Sequence, residues 1–322
     1  MTIEAGLPPS AIAATPSIAT QVARLFFDRG MTKVEIAAHL GMSRFRVARL
    51  LDAALAEGLV RIEYRDVPAE DRALATAMEE RFELDLCAVA TDGEGAAARL
   101  AGAVLDGLIE PNAVIGIAWG STLASVVREV TPRQDGTIHV VQLAGSSSRL
   151  DRRRDPGELS RALADRLGAT YHAIFAPAFV SSVELRDALR HQPEVADAAD
   201  RFEAITLAIV GIGAMPSGGD GPASSLVRSG VLDAAELARL ARAGAVGDLV
   251  VHAFDRDGRF VAPDLAARAI AIDVEALRSV PRVIAVATGA AKTAAIQGAL
   301  ASGVVRILVT DAPTAQAVLE VA

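Results

Sequence analysis

TKVEIAAHLGMSRFRVARLLDAALAE, residues 32 to 57, decides the fold of the N-terminal part of this chain, because it predicts two short helices joined by a tight turn. Thr32 and Glu35 have the spacing of a capping box, in which each side chain satisfies a free amide at the helix start. Gly41 suits the left-handed backbone that ends a helix, and Ser43 is a favourable N-cap for a second helix reaching about residue 57. The apolar face of the first helix comprises Val34, Ile36, Ala37 and Leu40. The pattern is typical of a helix-turn-helix.

The second predicted helix has a basic N-terminal end, as expected of a recognition helix in the major groove of DNA. Its core positions are Val47, Leu50, Leu51, Ala54 and Leu55. Arginine can contact guanine with two hydrogen bonds, and further arginines bind phosphates. We therefore expect DNA contacts from Thr32, Lys33, Ser43, Arg44, Phe45, Arg46 and Arg49. The alternative is a helical hairpin whose arginines are only solvated.

The flanking segments complete a predicted DNA-binding domain over residues 1–65. Residues 1 to 17 have no periodic apolar face and are expected to form a mobile tail. Ile18 to Arg29 has the spacing of a bracing helix that ends at Gly30, and residues 58 to 64 alternate like a short strand. An acidic helical pattern over residues 66 to 83 then connects to a second domain, predicted over 66–322.

Charge is distributed unevenly between these two parts. The 322-residue chain has a net charge of −8, but residues 1–65 contain eight Lys or Arg against six Asp or Glu. Only the N-terminal part therefore suits phosphate contacts, and the acidic remainder would repel DNA. A hydrophobic content of 52% with only 4% aromatic residues favours close packing of helices on a sheet.

Cysteine usage and the absence of long apolar runs indicate a cytoplasmic protein. Cys87 is the only cysteine, which excludes an internal disulfide and any multi-cysteine metal site. The N-terminus does not resemble a secretory signal, and the longest uncharged run, residues 111 to 127, is too short and too broken to span a bilayer. We expect neither a metal nor a cofactor.

The second domain is predicted to be an α/β domain with a mainly parallel sheet covered on both faces. Strand-like apolar runs occur at residues 86–90, 113–118, 138–143, 205–210, 248–254, 282–287 and 305–309, with helical patterns between most of them. Ligands bind beyond the carboxyl ends of such strands, so the loops that follow these runs are the candidate site.

Two of these loops suit an anion. Trp119-Gly120-Ser121-Thr122 follows a strand and opens a helix, where backbone amides and two hydroxyl groups could bind a negative group. Lys292 follows Gly289 at another helix start, and it is one of only two lysines beside 30 arginines. An ordinary turn with Ser121 as N-cap and a solvated lysine are the alternatives.

Six segments, taken in order, carry a family resemblance: FFDRGMTKVEIAAHLGMSRFRVARLLDAALAEGLVRI, IGIAWGSTLASVV, VVQLAGSS, IVGIGAM, GAVGDLVVHAFDRDG and ATGAAKTAAIQGALASGVVRILVTDAPTA. In these segments the chain resembles the SorC/DeoR-type sugar-responsive transcriptional regulators. Together these segments extend over nearly the whole chain. The resemblance implies a Rossmann-like effector-binding domain, similar in fold to sugar-phosphate isomerases, and a homo-oligomer, commonly a tetramer.

By the same resemblance, Gly120, Ser121, Thr122 and Lys292 match positions that hold the phosphate of a sugar phosphate, and Asp248 matches the acid that binds sugar hydroxyls. Ala290 departs from the commoner glycine in that loop. A cap is the alternative role for Asp248. The complete expected effector set is Gly120, Ser121, Thr122, Gln142, Gly145, Ser146, Gly211, Gly213, Asp248, Gly289 and Lys292.

The leading interpretation is a DNA-binding regulator controlled by a phosphorylated sugar or polyol. Some regulators of this group hold an aldehyde sugar through a lysine Schiff base, but no lysine lies between Lys33 and Lys292, so we expect noncovalent binding. The alternative is a sugar-phosphate isomerase or deaminase, for which Asp248 and His252 are candidate bases without a convincingly paired acid. Asp255, Asp257 and Gly258 are expected to form a hairpin turn, and Asp311 to cap the last helix.

Overall fold

A computed structural model describes residues 17–60, 68–91, 95–147, 155–215, 224–228, 230 and 232–320. Contacts within the chain divide it into two compact units at residues 66 and 67. The predicted N-terminal tail, apart from Ser17, and most of the predicted strand at 58–64 lie outside the described residues. Residues 58–60, which are described, form a turn and not a strand.

The N-terminal unit contains three helices: α1 (Ile18–Phe27), α2 (Lys33–Leu40) and α3 (Arg44–Ala56). Thr32 and Glu35 form the capping box that starts α2, and Gly41, with φ 63°, ends it. Ser43 accepts a hydrogen bond from the Arg46 amide and so caps α3. The turn between α2 and α3 therefore takes only three residues, as the sequence predicts.

The core of this unit combines all three helices. It includes Val22 of α1, Ile36 of α2, and Val47 and Leu51 of α3. The prediction that Val34 and Leu55 belong to the core was wrong. Val34 is 64% exposed and Leu55 is 38% exposed. Val34 precedes the buried Ile36 by two residues, which places it on another side of the helix. Leu55 follows the buried Ala54 in the last turn and lies about 100° around the helix from it.

Within the described part of the second unit, seven strands form one parallel sheet in the order β1-β9-β8-β5-β2-β3-β4. Their bounds are Leu86–Ala90 (β1), Val114–Ile117 (β2), His139–Gln142 (β3), Thr170–His172 (β4), Leu207–Ala214 (β5), Arg282–Val286 (β8) and Ile307–Asp311 (β9). Consecutive residues are buried along most of β1, β2, β8 and β9. Because successive side chains point to opposite faces, both faces of the sheet are covered.

Helices connect most of these strands, and their caps are formed largely by local side chains. The bounds are Arg72–Phe82 (α4), Ala96–Leu108 (α5), Ser121–Glu129 (α6), Pro156–Leu167 (α7), Val183–Arg190 (α8), Pro193–Ala199 (α9), Ser225–Arg228 (α10), Ala234–Arg242 (α11), Pro263–Ala266 (α12), Val274–Ser279 (α13), Thr293–Ala301 (α14) and Ala312–Glu320 (α15). The connecting helix predicted at 66–83 corresponds to α4, which begins only at Arg72 because Asp71 is its N-cap. Met78 of this helix is completely buried in the core of the second unit.

The apolar run at 248–254 is a hairpin, so its prediction as one strand was wrong. β6 (Gly247–Leu249) and β7 (His252–Phe254) pair antiparallel, and the chain reverses at Val250, whose φ is 60°. A β-branched residue rarely adopts this conformation, which explains why no turn signal is visible in the sequence. β6 also pairs antiparallel with the end of β5, beyond the parallel part of the sheet.

The sheet has a topological switch point between β2 and β5. From β2 the chain continues to β3 and β4 on one side, whereas from β5 it continues to β8 and β9 on the other. Connections that leave in opposite directions open a crevice at the carboxyl ends of the two strands. The predicted Rossmann-like α/β fold is confirmed. Among the described helices, none is long and apolar enough to cross a membrane.

Candidate functional site

A pocket lies at the carboxyl ends of β2 and β5, and we call it the switch-point pocket. Its lining residues are Trp119, Gly120, Ser121, Thr122, Gly211, Ile212, Gly213, Ser224, Ser225, Arg228, Asp248, Val250 and Lys292. The structure thus brings together seven of the eleven residues that the sequence indicates for an effector. They come from four separate loops or strands, which the sheet places at one edge.

The start of α6 provides hydrogen-bond donors to this pocket. Gly120 precedes the helix with φ 122°, a conformation that favours glycine, and offers no side-chain cap to the first amides. Ser121 and Thr122 follow, and both are half-buried. Uncapped amides, a positive helix end and two hydroxyl groups together suit a negatively charged group.

Lys292 supplies a cation on the other side of the pocket. It ends a 3₁₀ turn, Ala290–Lys292, directly before α14. Its Nζ donates to the Ile212 carbonyl oxygen at 3.2 Å, which holds the ammonium beside β5. Burial lowers the pKa of Lys292, the negative charge of Asp248 opposes this effect, and the positive charge of Arg228 adds to it.

Asp248 is buried directly opposite Gly213, because β6 pairs with the end of β5 in that register. A Cβ atom on Gly213 would lie 2.3 Å from Asp248 Oδ1, so only glycine leaves room for the carboxylate. Burial raises the pKa of Asp248 to about 6, although a hydrogen bond with Ser224 and the charge of Lys292 both lower it. Its Oδ1 atom has no hydrogen-bond partner among the described residues. A ligand hydroxyl could supply one.

Sequence reasoning missed the contribution of α10. Ser224 caps this helix by accepting from the Val227 amide at 3.1 Å, and Ser225 and Arg228 face the same pocket. Arg228 is exposed whereas Lys292 is half-buried. The two positively charged side chains of the pocket therefore differ in their exposure to solvent. No local motif marks this segment, because a four-residue helix has almost no periodicity.

Four of the expected effector residues do not line the switch-point pocket. Gln142 is buried at the end of β3, where its Oε1 atom accepts from the Tyr171 hydroxyl and the Ile174 amide, and its Nε2 atom donates to Ala144. Ser146 donates to Asp155. A Cβ atom on Gly145 would lie 2.5 Å from the Ala176 carbonyl oxygen. Gln142, Gly145 and Ser146 thus contact neighbouring residues of the domain and not the switch-point pocket.

Gly289 also lies outside the pocket lining. Its amide donates to the Thr314 hydroxyl at 2.7 Å, and its φ of 103° lets the chain turn towards Lys292. Asp311 accepts from the Thr314 amide and caps α15, as predicted. The predicted hairpin turn is also present, since Asp255 accepts from the amides of Asp257 and Arg259.

His252, the second candidate base of the enzyme alternative, is buried in the hairpin. Its Nε2 atom pairs with the Ile272 carbonyl oxygen at 2.8 Å, and burial lowers its pKa. Its ring packs edge-on against Phe260. The contacts are those of a neutral core histidine.

The helix-turn-helix unit exposes the basic end of α3. Arg44, Phe45, Arg46 and Arg49 are all exposed, and the Arg44 guanidinium lies 4.9 Å from the centre of the Phe45 ring. Phe45 is 69% exposed, so its ring is open to a partner. Thr32 is exposed too, but its hydroxyl both donates to and accepts from Glu35.

The chain is similar to known proteins over nearly its full length. The family model described as "Putative sugar-binding domain" matches residues 67–320. The erythritol catabolism regulatory protein EryD of Brucella abortus is 29% identical over 95% of this chain and 97% of its own length. The sorbitol operon regulator of Klebsiella pneumoniae is 27% identical, over 93% and 96%. The crystal structure of full-length SorC from Klebsiella pneumoniae matches with a TM-score of 0.71 and 25% identity, over 94% of this chain and 98% of that one.

An α/β sugar-binding unit that follows a helix-turn-helix defines a sugar-responsive transcriptional regulator. This chain belongs to the sugar-binding domain family of the SorC-type transcriptional regulators. The resemblance predicted from the sequence is confirmed, and the enzyme alternative loses its support because these relatives are regulators.

Proposed function

We propose that the effector is a phosphorylated sugar or polyol bound noncovalently in the switch-point pocket. The observation that carries this proposal is the joint placement of Ser121, Thr122 and Lys292 around one crevice, although they are up to 171 positions apart in the sequence. Hydroxyl groups, free helix amides and an ammonium group are the usual partners of a phosphate. Arg228 provides a second positive charge for a phosphate dianion.

The proposal gives Asp248 the role of binding sugar hydroxyls. An ionised carboxylate accepts hydrogen bonds and donates none, so it suits the hydroxyls of a polyol and repels a phosphate. Its distance from the phosphate is set by the strand pairing with Gly213. The pocket is therefore polar at both ends, with positive charge for one part of the ligand and negative charge for another.

We further propose that α3 binds operator DNA through Arg44, Arg46 and Arg49, with Lys33, Ser43 and Phe45 beside them. Thr32 acts through the capping box, because its hydroxyl is engaged by Glu35. A single unit of this size makes a modest DNA interface, so the protein acts as a homo-oligomer that presents two or more such units. An effector that binds better to one arrangement of these units changes DNA affinity by the same coupling factor, commonly ~5 to 150-fold.

The substitution Lys292→Ala tests the phosphate site. A charge-assisted contact is worth about 1.5 to 3 kcal/mol, so the affinity for a phosphorylated effector is expected to fall by one to two orders of magnitude. Trp119 is the only tryptophan and lines the pocket, so its fluorescence reports binding directly. DNA affinity without effector is expected to stay near that of the wild type.

The matched control is Lys33→Ala, which removes the only other lysine and lies in the N-terminal unit. It is expected to leave effector affinity unchanged. An unchanged affinity of Lys292→Ala for sugar phosphates would show that the phosphate site is misplaced. Wild-type protein that binds an unphosphorylated sugar as tightly as the corresponding sugar phosphate would show that the effector class is wrong.

A further inference from the structure

The face of α3 that points away from the core has an aromatic side chain near its middle. Val47, Leu51 and Ala54 are the buried residues of this helix. Counted at about 100° per residue, Phe45 lies roughly 150° around the helix from the middle of these three. Phe45 and, one turn later, Arg49 are therefore the residues of the first two turns that point most directly away from the core. Both are exposed.

Positive charge surrounds the Phe45 ring at the start of this helix. Arg44 and Arg46 lie roughly 100° to either side of it. The Arg44 guanidinium lies 4.9 Å from the centre of the ring. Asp52, which lies two turns further along the same face, is exposed and has the opposite charge. DNA phosphates therefore attract the N-terminal end of this face and repel the part around Asp52, so the end that contains Phe45 is the one suited to enter a groove.

An aromatic ring on the floor of the major groove has one kind of apolar partner. The base edges present hydrogen-bond donors and acceptors, which a phenyl ring cannot satisfy, and thymine adds a methyl group. Phenylalanine can recognise this methyl group by direct contact, which removes both apolar surfaces from water. Phe45 keeps 69% of its surface exposed, so the ring has area left for such a contact.

We infer that Phe45 reads the methyl group of a thymine, and so sets the preference for a T·A pair in each operator half-site. The position of Arg44 against the ring also indicates the neighbouring base. Base pairs are about 3.4 Å apart along the duplex, so a guanidinium this close to the ring reaches the same or the next base pair. Arginine favours guanine there. The half-site is therefore expected to contain a thymine next to a guanine.

This inference rests on the proposed function, because it takes α3 as the recognition helix, and the test begins with the full chain and a library of random DNA duplexes. Repeated selection by the wild type gives the operator sequence. Each thymine of a half-site is then replaced, one at a time, by deoxyuridine, which lacks only the methyl group. At one thymine the affinity in fluorescence anisotropy is expected to fall roughly three- to tenfold, since burial of one methyl group alone accounts for about fourfold.

The variant Phe45→Ala is expected to bind the thymine and deoxyuridine duplexes within about twofold of each other, because the methyl group then has no partner on the protein. A C·G pair at the same position, with and without a 5-methyl group on the cytosine, repeats the comparison. The matched control is Phe175→Ala, because Phe175 is 72% exposed but belongs to the second unit. It is expected to keep the full effect of the methyl group. Thermal unfolding checks that both variants are folded.

The outcomes separate this inference from the proposed function. If the wild type selects no sequence, or if changing both Arg44 and Arg46 to alanine leaves the affinity unchanged, the proposed role of α3 fails and the inference fails with it. If binding depends on these arginines but no deoxyuridine replacement weakens it, only the inference is overturned. A Phe45→Ala protein that still discriminates thymine from deoxyuridine as the wild type does overturns it as well.

Discussion

Replacing Asp248 by asparagine is expected to stabilise the protein at neutral pH while weakening the effector site. Burial raises the pKa of this carboxyl from 3.8 to about 6, even though Ser224 and Lys292 act in the opposite direction. A rise of this size means that keeping Asp248 ionised costs the folded state about 3 kcal/mol at pH 7. Asparagine has nearly the same shape and no charge, so Asp248→Asn should recover much of that free energy. For a domain of this size the gain corresponds to roughly 6 to 12 °C in Tm.

The pH dependence follows from the direction of the pKa change. The folded carboxyl binds its proton more tightly than the unfolded one, so stability falls as the pH rises from about 4 to about 6 and remains lower above that. The asparagine side chain that replaces Asp248 does not titrate. The difference in unfolding free energy between variant and wild type should therefore vanish near pH 4 and reach its maximum above pH 6. Urea unfolding at several pH values measures it.

The exposed Asp264 provides the matched control, since Asp264→Asn makes the same chemical change at the surface. It should alter stability by less than about 0.5 kcal/mol at any of these pH values. An Asp248→Asn protein that is no more stable than the wild type at pH 7 would refute the reasoning. A difference that is constant between pH 4 and pH 7 would also refute it, because the effect would then not come from ionisation.

Three further predictions concern DNA, domain independence and the pocket. Changing both Arg44 and Arg46 to alanine should abolish operator binding in fluorescence anisotropy, because both side chains are exposed at the start of α3, and should leave effector binding intact. Residues 67–322 should fold alone, form oligomers and lack DNA affinity, as checked by unfolding curves, light scattering and anisotropy. Gly213→Ala should reduce effector affinity at least tenfold in a Trp119 titration, because the new Cβ atom would lie 2.3 Å from Asp248 Oδ1.

Each of these predictions has a contradicting result. Unchanged DNA affinity of the double arginine variant would exclude α3 as the recognition helix. A 67–322 segment that is unfolded, or that binds DNA as well as the full chain does, would contradict the domain division. For Gly213→Ala the control is Gly136→Ala, where a Cβ atom would meet no atom within 4 Å. Equal loss of affinity in both would mean that the effect is not local to the pocket.

The helix-turn-helix could be predicted almost completely from the sequence because its determinants are local. The capping box of Thr32 and Glu35, the left-handed Gly41 and the Ser43 cap each act over three residues or fewer. Side-chain exposure was less predictable. Val34 and Leu55 are apolar, but a three-helix core is too small to cover every apolar position.

The switch-point pocket, the candidate effector site, was only partly predictable because it depends on the order of strands in the sheet. The loops after β2 and β8 meet, since both strands lie beside β5. The loop after β3 has the same local signals, yet Gln142, Gly145 and Ser146 lie away from the pocket. Strand order depends on long-range packing, so it cannot be predicted from the periodicity of the sequence. The short edge strand β4 was missed for a related reason, since three residues show no clear alternation.

Lys292 is ordered by the protein itself, because its ammonium donates to the Ile212 carbonyl oxygen. A lysine side chain that becomes fixed loses up to about 2 kcal/mol of rotamer entropy. For Lys292 this loss occurs when the protein folds, before any ligand binds. In the proposed site, a phosphate would therefore replace the Ile212 carbonyl oxygen as the acceptor of an ammonium group that is already in position. Such an exchange changes little between one phosphorylated compound and the next. Under the proposed function, Lys292 would therefore favour phosphorylated compounds in general, and selectivity among them would depend on the hydroxyl and carboxylate groups around it.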